Sequence, residues 1–324
     1  MIKFSLFLIR SIIEKTFNIK IYSKSSINNF EKIINNFLEN SFFFESNTDK
    51  TPGLTCIIFS KNRALQLYTL LESMKLRTNF EGKIIIFYNV SSSSHDLSYK
   101  ELISESKIFD LNIDWIKENK SIGFKKELLN ILSRIKTKKI FFLTDDNLFI
   151  NDFDLNLSQK TNFENYVFSL RHSKNISYSY TTNKNFKPPN LQAYDDNFYR
   201  FKWFDSLCEW SDPWSLDGQI YNLSEIKILS SVASFDKPNS YENALKFFNF
   251  LQKDKFGICC SKSIILNLPV NIAQNEWKNR SGKINTEIYL DQWKMKKKLD
   301  ISNLYGYDPI STHEEHYLNF IDRI

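Results

Sequence analysis

Two adjacent carboxylates follow an apolar stretch near the middle of the chain. In "KIFFLTDDNLFI" the run from Ile140 to Leu143 has the character of a buried strand, and Asp145 and Asp146 come shortly after it. Burying two neighbouring negative charges is costly unless a cation or hydrogen-bond donors pair with them. The pair therefore predicts a site that holds a positively charged group. A cap at the N-terminus of a helix is the structural alternative.

Basic residues occur in the segments that should meet these acids. Lys61, Arg63, Lys120 and Lys125 all lie in or next to loops that follow predicted strands. A hard divalent cation takes carboxylate oxygens, keeps some of its waters and bridges phosphates, while Lys and Arg neutralise the remaining phosphate charge. Acids and bases that converge in this way predict a diphosphate held by Mn²⁺ or Mg²⁺. The alternative for the lysines is a solvated helix face.

Strand and helix patterns alternate between residues 54 and 144. Runs rich in β-branched residues (LTCIIFS, KIIIFYN, LNIDWIKE and KIFFLT) are separated by segments with helical spacing (RALQLYTLLESM, LSYKELISES and FKKELLNILSRI). This order predicts βαβ units and a parallel sheet. Ligands of such sheets bind outside the carboxyl ends of the strands, where the loops 60–63, 89–96, 118–123 and 144–147 should gather.

Composition indicates a globular protein with one large core or two modest ones. The 324 residues are 42% hydrophobic and 25% charged, and the net charge is +6. This mild positive charge suits an anionic small molecule or an acidic membrane surface, and it gives little reason to expect nucleic acid. The chain contains no GxGxxG, GxxxxGK[ST], GxSxG or HExxH motif, which disfavours the common dinucleotide, P-loop, serine hydrolase and zincin sites.

The first residues, MIKFSLFLIRSIIEKTF, resemble a signal peptide, but charged residues interrupt them and the apolar run is too short for a membrane span. As a helix they would place Phe4, Phe7, Leu8 and Ile12 on one side. That side either packs on its own domain or lies on a membrane surface. Four cysteines without regular spacing predict reduced thiols and a cytoplasmic protein, either free or peripheral at the inner face of the membrane.

Several of these segments resemble a known family. The strand that runs into FSKNRALQLYTLLES and the fourth strand ending in TDDN are similar to family-2-like glycosyltransferases of the GT-A fold. The pieces WSLDGQIY, NLPVNIAQNEWKNRSG and THEEHY resemble a bacterial subgroup tied to surface polysaccharide. The resemblance implies an α/β, GT-A-like, mostly parallel sheet flanked by helices. It also implies an N-terminal helical extension (1–50), a catalytic domain (51–270) and a C-terminal extension packed on that domain (271–324).

The activity that the resemblance implies is metal-assisted, inverting transfer of a sugar from a nucleotide-sugar donor, with UDP-type donors favoured, to a glycan or lipid-linked acceptor. The QxxRW motif of processive synthases is missing, which favours transfer of a single sugar. A nucleotidyltransferase is one alternative, although FSKNRALQ lacks the usual Gly-rich loop. A non-catalytic glycan- or nucleotide-binding relative is another, because Asn147 stands where the family's Asp-x-Asp metal motif has its second acid.

Carried over residue by residue, the resemblance implies contacts to the donor and to the metal. The nucleoside and phosphates would meet Phe59, Ser60, Asn62, Arg63, Asn89, Asp96, Gly123 and Lys125. The metal would be bound by Asp145, Asp146 and Asn147, with one of the two acids also serving the ribose, and by His313 as a further ligand. The amide of Asn147 offers an oxygen with less charge than a carboxylate, so it weakens the metal motif.

Inverting transfer needs a carboxylate that removes the hydroxyl proton of the acceptor. The turn SDPWSLDGQIY offers Asp212 and Asp217, and the neighbouring Trp214 and Tyr221 would bind a sugar ring and raise the pKa of Asp217. A turn aspartate bonded to its own backbone is the structural alternative. His172, which follows FSLR, is a further candidate for the cleft wall.

Overall fold

The structure is a computed structural model. It describes residues 50–156, 166–195, 197–270 and 285–323, and residues 32, 34, 36–38, 40 and 41. The chain divides into two compact units, Met1–Glu45 and Ser46–Ile324. In the first unit the described residues are helical. The predicted helix face of Phe4, Phe7, Leu8 and Ile12 lies outside the described residues.

Strands make up the centre of the second unit. In chain order they are β1 (Thr51–Lys61), β2 (Ile84–Asn89), β3 (Ile113–Lys117), β4 (Thr137–Thr144), β5 (Asn147–Phe149), β6 (Tyr166–Ser169), β7 (Tyr178–Ser179), β8 (Lys184–Asn185), β9 (Gln192–Asp195), β10 (Phe198–Lys202), β11 (Gln219–Asn222), β12 (Phe256–Cys260), β13 (Ile265–Asn267), β14 (Lys297–Leu299) and β15 (Phe320–Asp322). Nine of them form one sheet in the order β3-β2-β1-β4-β11-β6-β12-β10-β9. Only β11 and β10 run against the other strands of that sheet. The predicted mostly parallel α/β fold is confirmed.

Helices connect and flank these strands. In the second unit they are α1 (Ala64–Arg77), α2 (Ser93–Glu105), α3 (Phe124–Arg134), α4 (Leu223–Val232), α5 (Pro238–Lys246) and α6 (Thr286–Lys294). The first three confirm the helices predicted from leucine spacing. Helix α2 begins at a serine cap, because Ser92 Oγ accepts a hydrogen bond from His95 N. In the described part of the chain, no helix has the length and apolarity needed to cross a membrane.

The central strands are buried on both faces. Every residue of β1 from Leu54 to Phe59 is at most 3% exposed, and Ile140 to Leu143 of β4 are fully buried. Such continuous burial explains the unbroken apolar runs of these segments, which alternating strands at a solvated sheet do not show. Since β1, β2, β3 and β4 run in parallel, the loops that follow them meet at one edge of the sheet.

The polar, aromatic and Pro-containing composition of segment 178–203 predicts a long loop, but the structure has four short strands there. Strands β7 and β8 pair with each other, and β9 and β10 pair at the end of the nine-stranded sheet. Phe198 and Phe201 of β10 are 4% and 1% exposed, so burial of these rings stabilises β10 near the edge of the sheet. The mixed composition of the segment does not indicate this strand. The prediction of a loop was wrong because β10 joins the sheet by pairing with β12, which lies far away in sequence.

The last described segment, 285–323, packs on helices α1 and α2. The ring of Trp293 in α6 lies 6.0 Å from that of Tyr68 in α1. Arg323 places its guanidinium 3.2 Å from the Trp293 ring centroid and pairs with Glu105 of α2 at 2.7 Å. The segment also carries His313, which is not helical and forms an isolated bridge with Asn267 of β13. This bridge sets His313 beside the edge of the sheet where the predicted site lies.

Candidate functional site

A cleft of about 480 Å³ opens where β1, β2 and β4 end. Its volume falls in the range of pockets that bind small molecules and cofactors. Of the predicted site residues, the cleft brings together Phe59, Ser60, Arg63, Asn89, Asp145, Asp146, Asp217 and His313. The lining of this cleft thus combines acids from the end of β4, a cation from the start of α1 and groups from much later in the chain.

Asp145 and Arg63 form the floor of the site. Both side chains are buried, and Arg63 Nη1 lies 2.8 Å from Asp145 Oδ1. Asp145 Oδ2 accepts hydrogen bonds from Ser60 Oγ at 2.8 Å and from Lys61 N at 3.0 Å. Burial raises the pKa of Asp145 above its ordinary value, while Arg63 opposes that shift. Burial alone would lower the pKa of Arg63, but the two adjacent acids outweigh it and raise that pKa.

Asp146 lies nearer to the open cleft than Asp145. Arg63 Nη1 donates to its Oδ2 at 3.0 Å, and Asn267 Nδ2 donates to its Oδ1 at 2.9 Å. The hydroxyl of Thr144 lies 2.7 Å from Asp146 Oδ1 and 2.8 Å from Asp217 Oδ1, and its single hydrogen can serve only one of them at a time. Asp146 therefore belongs to a network that joins the end of β4 to Asp217.

Asp217 sits in the same network but in a different electrostatic environment from the one predicted. Its Oδ2 lies 3.4 Å from His313 Nε2 and 3.6 Å from Arg171 Nη1. Burial raises the pKa of Asp217, but His313, Arg171 and the hydrogen bond from Thr144 outweigh burial, so the pKa falls well below its ordinary value. The expected rise in pKa was wrong, because Arg171 and the hydrogen-bonding His313 face this carboxylate.

The two aromatic residues near Asp217 do not form a sugar platform. Trp214 is fully buried, and Tyr221 is 1% exposed and donates its hydroxyl to Ser215 O at 2.7 Å. They stack on each other at 5.5 Å between ring centroids beneath the turn. Gly218, with φ +76°, lets the chain turn sharply after Asp217 and donates its N–H to Phe142 O at 2.8 Å. These residues position Asp217 and do not bind a ligand.

The predicted set of metal ligands does not assemble around an open position. Asn147 is fully buried, and its Oδ1 accepts a hydrogen bond from Thr144 N at 2.8 Å, while its Nδ2 donates to Asp217. Both carboxylates that precede it already bind Arg63. Among the described residues no group of three His, Cys, Asp or Glu side chains is placed to hold a metal ion. Every carboxylate oxygen of Asp145 and Asp146 already accepts from Arg63 or another protein donor, so in this arrangement these residues do not fit a hard cation.

Five other predicted residues do not line the cleft: Asn62, Asp96, Gly123, Lys125 and Asp212. Asn62, at φ +59°, ties two turns together by accepting from Ser91 N at 2.9 Å. Asp96 pairs with Lys100 at 2.9 Å on α2. Gly123 precedes α3 at φ +88°, and Lys125 donates to Ser231 O at 3.1 Å. These four support the loops around the cleft.

Asp212 and His172 lie behind the cleft wall. Lys246 Nζ lies 3.1 Å from Asp212 Oδ2, and Arg171 Nη2 lies 3.7 Å from the same oxygen. His172 is fully buried, its Nδ1 lies 2.7 Å from Ser169 Oγ, and its ring centroid lies 4.5 Å from that of Trp210. Burial and the charge of Arg171 hold the pKa of His172 well below its ordinary value, which suits a neutral packing residue.

Sequence reasoning missed several residues that line the cleft. Glu118 follows β3 and accepts from Asn89 Nδ2 at 2.6 Å. Asn267, at the end of β13, donates to Asp146. Lys237 and Glu242 belong to the start and the body of the α5 region. The loop 118–123 was expected at this edge, so Glu118 could have been predicted as a site residue. Nothing in "NSYENALKFF" distinguishes Glu242 from a surface acid.

No protein-family model matches the sequence, and no curated protein matches it. S. aureus TarS resembles the chain in structure at 13% identity and a TM-score of 0.44, over 74% of this chain and 42% of that one. The mannosyltransferase PcManGT from Pyrobaculum calidifontis, solved with GDP-Man and Mn²⁺, resembles it at 12% identity and 0.29, over 43% and 46%.

A UDP-glucose pyrophosphorylase solved with UDP-glucose resembles the chain at 12% identity and a TM-score of 0.34, over 74% of this chain and 97% of that one. The chain spans less than half the length of TarS. At these identities and TM-scores, the similarities assign neither a family nor an activity to the chain, and the position of the cleft at the edge of the sheet is what bears on function.

Proposed function

We propose that the protein is a glycosyltransferase that moves a single sugar from a nucleotide-sugar donor to a glycan or lipid-linked acceptor in surface polysaccharide synthesis. The observation that carries this proposal is the composition of the cleft walls. One wall, at the ends of β1 and β2, offers aromatic rings and the amide of Asn89, and a second wall offers the acids Asp146, Asp217 and Glu242. A nucleoside fits the first wall and the hydroxyls of a sugar fit the second.

The first wall suits a nucleoside because it combines apolar side chains with polar groups. Phe59 and Phe87 line it, with their ring centroids 6.3 Å apart. Asn89 and Glu118 offer an amide and a carboxylate at its rim. A nucleobase presents both ring faces and hydrogen-bonding edges, so it matches this combination. The resemblance favours a uridine diphosphate donor.

Charge in the middle of the cleft suits the diphosphate. The exposed Lys61 follows β1, and Lys237 precedes α5, and both line the cleft. Lysine ammonium groups neutralise phosphate oxygens and stabilise the diphosphate as it leaves the sugar. No step of this proposal passes through a metal ion, because the acids that were expected to bind one are already bonded to Arg63.

The acidic wall suits the sugar and its acceptor. Asp146 lies within the network of Arg63, Thr144 and Asn267, which holds its carboxylate in one orientation. A fixed carboxylate accepts hydrogen bonds from two sugar hydroxyls at once, and this orients the anomeric carbon. A lipid-linked acceptor would be reached at the membrane surface, so peripheral membrane contact is part of the proposal.

The test is a thermal-shift screen of nucleotide sugars followed by product analysis. A donor at about 100 times its dissociation constant should add about 2.7 kcal/mol to the free energy of unfolding and raise the melting temperature by several degrees. The wild type should then release nucleoside diphosphate and free sugar slowly from that donor. Formation of a nucleoside triphosphate from donor and pyrophosphate would instead identify a nucleotidyltransferase. Binding without any turnover would identify a non-catalytic relative.

A further inference from the structure

One acid of the cleft wall comes from helix α5. The half-buried side chain of Glu242 lines the cleft, and its Oε1 accepts a hydrogen bond from Leu216 N at 3.3 Å. Pro238, four residues earlier in the same helix, also lines the cleft. Residues four apart share one helix face, so this face of α5 is turned to the cleft and carries Glu242 with it.

Two cations, Arg171 and Lys246, lie behind this wall next to Asp212 and Asp217. Lys246 Nζ lies 3.1 Å from Asp212 and Arg171 Nη2 lies 3.7 Å from it, while Arg171 Nη1 lies 3.6 Å from Asp217. The cations thus face the two aspartates. Glu242 is the third acid of the group, and the repulsion of two ionised neighbours favours a proton on it.

The ionisation of Glu242 responds to every charged group packed around it. Burial raises its pKa above the ordinary value, and the charges of Asp212 and Asp217 raise it further. Lys246, one turn further along α5, and Arg171 act in the opposite direction without cancelling the rise. The pKa of Asp217 is shifted downward instead. Two acids whose pKa values are pushed apart in one cleft commonly divide the proton-transfer and charge-holding roles.

We propose that Glu242 is the general base of the transfer reaction and that Asp217 holds Arg171 and His313 in place. This inference rests on the proposed function. The Glu242 carboxylate takes the hydroxyl proton of the acceptor while the acceptor oxygen bonds to the anomeric carbon. The bond from that carbon to the phosphate oxygen breaks, and its electron pair leaves on the nucleoside diphosphate. A carboxylate whose pKa lies closer to neutrality is a stronger base than Asp217.

Donor hydrolysis tests this role because water then serves as the acceptor. Glu242→Gln should lower kcat at least ~100-fold and leave the dissociation constant of the donor unchanged, since a base acts in the transition state. Glu242→Ala should regain turnover when formate or azide is added, because a small anion replaces the lost carboxylate. The matched control is Glu225→Gln. Glu225 is a buried acid that does not line the cleft, and its carboxylate pairs with Lys255 Nζ at 3.1 Å.

The pH profile separates a base from a structural residue. Wild-type turnover should fall with falling pH through a pKa above 4.5, the ordinary value for a glutamate. Glu242→Ala rescued by formate should show that limb at lower pH, because formic acid has a lower pKa than Glu242. If Glu242→Ala fails to fold, Glu242→Gln provides the test, because it keeps the size of the side chain. A lower kcat with unchanged donor affinity then identifies Glu242 as the base.

Three results would overturn the assignment of Glu242. The first is wild-type turnover in Glu242→Gln. The second is a slow Glu242→Ala that neither anion restores, and the third is an equal loss in Glu225→Gln. Failure of the proposed function is seen separately: a folded wild type that binds no nucleotide and hydrolyses no donor refutes the transferase itself, and the role of Glu242 falls with it.

Discussion

Asp217→Asn removes one negative charge from the site and leaves the shape of the side chain almost unchanged. The amide keeps an oxygen that can accept hydrogen bonds on the side of Asn147, at 3.1 Å in the wild type. On the other side, Arg171 and His313 lose the carboxylate oxygen that they face at 3.6 and 3.4 Å. Arg171 is only 3% exposed, so solvent cannot replace the lost partner.

The expected loss of stability follows from that burial. Removing one partner of a buried pair costs about 3–5 kcal/mol, because the other charge stays buried. Arg171 keeps Asp212 at 3.7 Å, so we expect the lower end, about 3 kcal/mol. For a chain of this size that corresponds to a drop of about 4–5 °C in melting temperature. Asp152→Asn, which alters a surface pair with Arg77, is the control and should change stability little.

Urea unfolding of Asp217→Asn, Arg171→Met and the double variant measures the energy of this pair. The double variant should lose less than the two single variants together, because no unpaired charge remains. Additive losses, or an Asp217→Asn protein as stable as the wild type, would refute the electrostatic account of Asp217.

The pH dependence of the same variant has a definite sign. The folded pKa of Asp217 lies below its ordinary value of 3.8. Its contribution to stability is therefore fully present above about pH 4 and is lost as the pH falls through the folded pKa. The stability gap between wild type and Asp217→Asn should narrow as the pH falls below about 4. A gap that widens on acidification would contradict the direction of the shift.

Three further outcomes follow from the site. Gly218→Ala should lower the free energy of unfolding by about 2–4 kcal/mol, because φ is +76° and the new Cβ would lie 2.2 Å from Ile265 Cδ1. The control Gly306→Ala, at φ +79° in open space, should lower it by only about 1 kcal/mol in the same urea assay. Asp146→Ala should slow donor turnover about 100-fold, more than Asn147→Ala, because only Asp146 lines the cleft; equal effects would contradict this placement. Chelation of divalent cations should leave nucleotide affinity unchanged, measured by titration calorimetry with and without EDTA, and a large loss would show that a cation displaces Arg63 from the acids.

The first half of the fold could be predicted because its signals are local. Each strand from β1 to β4 and each helix from α1 to α3 has its own periodicity, and parallel strands bring their ends together wherever the helices between them are formed. That rule placed the loops with Ser60, Arg63, Asn89, Asp145 and Asp146 at one edge of the sheet, where the structure has them, and the family resemblance added Phe59.

The chemistry of the second half depends on contacts between distant segments. The pKa of Asp217 is set by Arg171 and His313, which come from other parts of the chain, so the neighbouring Trp214 and Tyr221 misled the prediction. In sequence, Asn62 and Lys125 look like ligand-binding residues. In the structure, Asn62 bonds to Ser91 N and Lys125 bonds to Ser231 O. A local pattern reveals which residues are polar and does not reveal which polar atoms are already bonded.

The most direct test of the account is calorimetric titration of uridine and guanosine diphosphates into the wild type, Lys61→Glu and Lys120→Glu. Both substitutions reverse one exposed lysine and change the net charge equally, but only Lys61 lines the cleft. We predict one binding site in the wild type, affinity reduced at least ~10-fold (about 1.4 kcal/mol) in Lys61→Glu, and wild-type affinity in Lys120→Glu. No binding to the wild type, or equal loss in both variants, would contradict a nucleoside diphosphate site in this cleft.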